Sequence, residues 1–138
     1  MVATKGRTLL IEVHSLDASG PPPSAALHAE IRAAVQRADA ASGDNAVQSR
    51  MYSREARLCA VRTSHATSKA VRTAIGSIRY VQHFPVRLAV VRAFGNERLA
   101  RRELAARLER AEKEARGDVA AQNALRDSLE RLSELQKG

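Results

Sequence analysis

Tryptophan is absent from this 138-residue chain, and only two Phe and two Tyr are present. Aromatic rings bury the most area per side chain, so any core must be thin, aliphatic and rich in alanine. Cysteine occurs once, at Cys59, which rules out an intramolecular disulfide and a cysteine-based metal cluster. The four histidines (His14, His28, His65, His83) are scattered, with no His-x3-His or Cys-x-x-Cys spacing, so neither a metal nor another cofactor is expected. A glycine-rich phosphate loop is missing, as is the Gly-rich anion loop with its arginine found in small phosphate-ester hydrolases of split βαβ topology. No small-molecule substrate is implied, and the chain reads as a non-enzyme. Apolar runs are too short for a membrane span, and no secretory signal opens the sequence.

Acidic residues are also scarce where they would matter most. The net charge is +8. Residues 45–95 hold Arg50, Arg54, Arg57, Arg62, Lys69, Arg72, Arg79, Arg87 and Arg92 against Glu55 alone, whereas 96–138 is nearly neutral. The positive field therefore belongs to the middle of the chain, and these nine cations are the candidate RNA contacts. A merely solvated basic face on the second helix is the competing reading. Eight of the nine are arginine, whose fork matches phosphate oxygens. Base stacking on an open sheet is disfavoured, because neither presumptive central strand offers an aromatic residue for it.

Strand and helix signals alternate up to residue 95. Thr8–Leu16 reads as a strand with Leu9, Ile11 and Val13 on one face and Leu10, Glu12 and His14 on the other. After the stiff Pro21-Pro22-Pro23 loop, Ser24 is placed to cap a helix carrying Leu27, Ile31, Ala34, Val35 and Ala38, closed by Ser42-Gly43-Asp44-Asn45. Residues 46–63 fit a hairpin, with a helix over 54–61 as the rival. Ser64 is expected to cap a second helix with Ala66, Ala70, Val71, Ala74, Ile75 and Ile78 inward. Gly76 within it either costs about 1 kcal/mol or permits close packing on the sheet. Pro85–Phe94 is the last strand, with Val86, Leu88, Val90 and Phe94 on one face. Strand, helix, strand, strand, helix, strand predicts an α+β, ferredoxin-like split βαββαβ sandwich over 1–95. Its first and third strands are central, its second and fourth are edges, and Arg87 and Arg92 discourage edge-to-edge pairing.

A C-terminal helical extension follows over 96–138. Asn96 caps a helix whose apolar positions are Leu99, Leu104, Ala105, Leu108, Ala111 and Ala115. Gly117-Asp118 then marks either a turn into a helical hairpin or a kink in one long rod. Leu104, Leu108, Leu125, Leu129 and Leu132 are the expected partner-docking positions, since leucines at such spacing form helix–helix seams. The open sheet face awaits a cover, which is either this tail or a partner.

Residues 56–92 resemble the second half of the small-ribosomal-subunit protein S-six family, of bacterial and mitochondrial type. Val86-Arg87-Leu88-Ala89-Val90-Val91-Arg92 matches the pattern of that family's last strand, and Ile78-Arg79-Tyr80 stands where its second helix closes. The tail from Asn96 has no counterpart in the family's short core. The resemblance implies a structural subunit bound to ribosomal RNA and to neighbouring proteins, located in the mitochondrial matrix or otherwise the cytoplasm. The alternative is a subunit of a protein-only assembly, such as a virion connector or a respiratory complex.

Overall fold

The computed structural model describes residues 6–38, 47–115 and 117–137, with side chains through 132. The expected turn at Ser42–Asn45 lies outside them. The elements are β1 (Gly6–Ser15), α1 (Ser24–Ala38), β2 (Val47–Ser53), β3 (Leu58–Ser64), α2 (Ser68–Gly76), β4 (Tyr80–Val81), β5 (Phe84–Phe94), α3 (Glu97–Glu114) and α4 (Val119–Lys137). The sheet is antiparallel in the order β2-β3-β1-β5-β4, so the ferredoxin-like arrangement holds, with β1 and β3 central. The two-residue β4 is an addition. It pairs with Phe84 and Pro85, and among the described residues the rest of that edge of β5 has no neighbouring strand.

Residues 47–63 resolve as a hairpin: β2 pairs with β3 from Val47↔Thr63 to Ser53↔Leu58. The Ser53 hydroxyl accepts from the Ala56 N–H in its turn, and Arg57 completes the reversal at φ 56°. The triproline loop is tied to this hairpin, since Tyr52 Oη donates to the Pro22 carbonyl and Arg54 donates to that of Pro21, both at 2.8 Å. Helix α1 starts one residue earlier than Ser24 capping would give, with the Pro23 carbonyl accepting from Leu27 N–H. Ser64 holds a turn, accepting from Thr67 N–H, and α2 begins four residues on. Ala66 is therefore exposed rather than part of the inward stripe.

Both faces of the sheet are covered. On one face, Leu9, Ile11 and Val13 of β1 pack with Cys59 and Val61 of β3 and with Leu27, Ile31, Val71 and Ile75 of α1 and α2. On the other, Leu10, Leu58, Ala60 and Phe94 pack with Ala100, Leu104 and Leu108 of α3 and Leu125 and Leu132 of α4. The tail itself thus supplies the cover. It is a helical hairpin: Asn96 Oδ1 accepts from Arg98 N–H to start α3, Gly117 turns at φ 93°, and Asp118 accepts from Ala121 N–H to start α4. Arg126 of α4 pairs with Glu112 of α3 at 3.2 Å.

Two expectations about side-chain direction change. Phe94 lies on the face opposite Val86 and Leu88, because β5 bulges at Val91: Ile11 pairs with Val90 but Leu10 with Arg92. One inserted residue reverses the alternation beyond it. On α3, Ala100 takes the inward position expected for Leu99, which is 48% exposed.

Cys59 is wholly buried, and burial pushes its thiol up to about 12 from an ordinary 9. Burial likewise raises the half-buried Tyr52 to about 12, against the opposing pull of Arg54. In the unfolded chain these groups ionise near 9 and 10, but in the fold they stay protonated. Their contribution to stability is complete below about pH 9 and is lost as pH rises towards 12. The urea midpoint should therefore fall steadily from pH 9 to 11, and less steeply in Cys59→Ala. The Cys59 share is up to about tenfold in the folding constant per pH unit. Parallel slopes for the two proteins would contradict this.

Candidate nucleic-acid interface

The nine central cations separate into those the fold uses and those it leaves outward. Arg50 and Arg62 reach one carboxylate, Glu97 at the first turn of α3, at 3.7 and 3.4 Å, and Arg101 joins them at 3.9 Å. The Arg62 guanidinium lies across Gly6, 2.6 Å from where a Cβ would stand. Arg54 is spent on the proline loop. Arg92 stacks over the Phe94 ring at 4.9 Å. Arg57, in its left-handed turn, lines a cavity of about 300 Å³ with Arg107 and Arg110. That cavity also holds Glu12 and Glu114, and Glu12 already binds Arg107 at 3.1 Å and meets His14 at 3.3 Å. Its field is therefore mixed in sign.

Lys69, Arg72, Arg79 and Arg87 remain. All four are exposed, and among the described residues none makes an ion pair. Lys69 and Arg72 stand one turn apart on the outer side of α2, and Arg79 follows the helix end, donating to the Gly76 carbonyl at 3.2 Å. Arg87 projects from β5 and shares with Arg79 a cavity of about 580 Å³ along the free edge of that strand. Among the described residues no acidic one lines this cavity. The arrangement suits a run of phosphates, since unneutralised guanidinium and ammonium groups gain most from a polyanion whose counterions they release.

The five leucines expected to dock a partner point inward instead. Leu104, Leu108, Leu125 and Leu132 are buried in the second core, and Leu129 is partly buried against it. Sequence reasoning missed two features here. Glu97 stands four residues before Arg101 on α3, and its reach to β2 and β3 exists only once the tail folds back over the sheet. Gly76 does not permit close packing: nothing lies within 4 Å of where its Cβ would stand, and it borders the basic cavity.

His28 is the remaining perturbed group. Burial, and then the neighbouring Arg32, hold its pKa below the usual 6.5, and its ring meets Tyr52 edge-on at 6.4 Å. Among the described residues no group of three or more His, Cys, Asp or Glu side chains could hold a metal ion, and no helix is long and apolar enough to cross a membrane.

Comparison with known proteins corrects the ribosomal resemblance. No curated protein sequence matches the chain significantly. A chain of yeast Ribonuclease MRP, solved by cryo-EM, shares the fold at a TM-score of 0.53 and 11% identity, over 80% of this chain and 95% of that one. The sequence pattern of the Rpp14/Pop5 family, a ribonuclease P protein family, matches residues 7–105. That match spans the whole stretch on which the ribosomal S-six resemblance rested and replaces it. The strand motif misled for a physical reason. Aliphatic residues alternating with arginine are what an exposed edge strand needs in any split βαβ domain. The broader expectation, an RNA-associated ribonucleoprotein subunit, survives the change of family, while ribosomal RNA as the partner does not. With 99 of its 138 residues matched, the chain belongs to the Rpp14/Pop5 family.

Proposed function

We propose that this protein is a non-catalytic subunit of a ribonucleoprotein of the ribonuclease P or MRP kind, and that it grips the RNA backbone through Lys69, Arg72, Arg79 and Arg87. Chemistry in such a particle rests with the RNA, and the protein's task is to hold RNA segments and neighbouring subunits in place. One observation carries the assignment of the surface. The fold pairs Arg50 and Arg62 with Glu97, ties Arg54 to the proline loop, seats Arg92 over Phe94 and places Arg57 in a cavity with Glu12 and Glu114, whereas among the described residues these four cations face no carboxylate. Family membership supports a particle of this kind.

Backbone contacts of this sort are insensitive to sequence and sensitive to salt. Four of them predict a log–log slope of affinity against salt of about −3 to −4. Fluorescence anisotropy of a labelled structured RNA, titrated from low to moderate salt, measures it. A slope near zero would overturn the reading.

A further inference from the structure

The cavity between Arg79 and Arg87 is more than a patch of charge. Its volume of about 580 Å³ falls among those of small-molecule sites. Leu16 and Val90 give it an apolar lining, and Arg79 and Arg87 line it too. One side is the free edge of β5. The Val86 N–H points away from β1 and donates to the Arg79 carbonyl at 2.9 Å. Backbone direction alternates along a strand, so Leu88 and Val90 aim their N–H and C=O groups the same way, into the cavity. Among the described residues neither has a neighbouring strand to meet, since the pairing with β4 ends at Pro85.

We infer that this cavity takes a single unpaired nucleotide of the bound RNA. The base lies against the aliphatic lining and hydrogen-bonds through its edge to the β5 backbone, while Arg79 and Arg87 hold the flanking phosphates. Unpaired bases are what a protein can reach in RNA, because the grooves of the paired helix hide their edges. A protein strand adding to β5 would use the same backbone groups. Two arginines with no acid in the lining favour the polyanion. The inference rests on the RNA-binding reading above and adds the kind of RNA feature the site selects.

Gly76 gives the test. Gly76 lines the cavity and a Cβ there meets nothing within 4 Å among the described residues, so a larger side chain adds bulk at the cavity wall while the four cations stay in place. Gly76→Leu fills the space, and Gly76→Ala is the control that makes the same helix-favouring change without filling it. The probes are a short RNA duplex and the same duplex carrying one unpaired uridine, with binding read by anisotropy. The wild type should prefer the bulged duplex by about tenfold. Gly76→Leu should bind the plain duplex as the wild type does and lose the preference, and Gly76→Ala should keep it. Equal wild-type affinity for the two RNAs, or a preference that survives Gly76→Leu, overturns the inference and leaves backbone binding standing. Failure to bind either RNA overturns both. Absence of a bulge preference, together with a β-branched peptide that binds the wild type but not Gly76→Leu, assigns the edge to a protein strand and also refutes the inference.

Discussion

Arg79→Gln combined with Arg87→Gln is expected to lower RNA affinity about tenfold at 0.1 M salt, through two lost phosphate contacts. Both side chains are exposed and neither pairs with an acid, so the melting temperature should barely move. The informative comparison is Arg50→Gln with Arg62→Gln. These two residues contribute the same number of charges, but they sit against Glu97, a carboxylate that already does for them what a phosphate would. Their loss should change affinity less than about threefold. If the two doubly substituted proteins bind RNA equally poorly, the protein's net charge matters and the location of these cations does not. The assignment of the surface would then be abandoned.

Leu108→Ala is expected to destabilise the fold by about 3 kcal/mol, with a comparable loss for Leu125→Ala. Leu108 is 0% exposed and Leu125 1%, and both lie in the core built between the sheet and the tail. For a domain whose whole stability is about 5–15 kcal/mol, that is a large share. Leu99→Ala, on the outward side of the same helix, should stay within about 0.5 kcal/mol. Urea denaturation separates the cases. A near-zero effect of Leu108→Ala would mean that α3 is a detachable arm in solution and that the second core does not exist there.

The alternating apolar residues of Thr8–Leu16 and the 3.6-residue spacing in α1 were enough to place two elements and one face of the sheet. Strand order followed from connection rules. What sequence could not give was anything that depends on the tail folding back. Whether Gly117 bends or kinks is a local question with two local answers, and the choice is made by Leu10, Leu58 and Ala60, far away in the chain, which need a cover. The bulge at Val91 was invisible for a similar reason: it trades a ladder bond for the chance to bring Phe94 under α3. The nine cations were legible as a set. Dividing them into paired and unpaired groups required the position of Glu97, which again depends on the tail.

Strand β1 bears on how the chain can be made at all. Its neighbours are β3, some fifty residues later, and β5, which ends at Phe94, and its two faces belong to two different cores. During synthesis, Leu9, Leu10, Ile11 and Val13 emerge early and find no partner until most of the chain has been added. Folding must wait for contacts of high sequence separation, which close slowly. In the interval the nascent protein carries a strand that is sticky on both sides, the kind of segment that aggregates or occupies a chaperone.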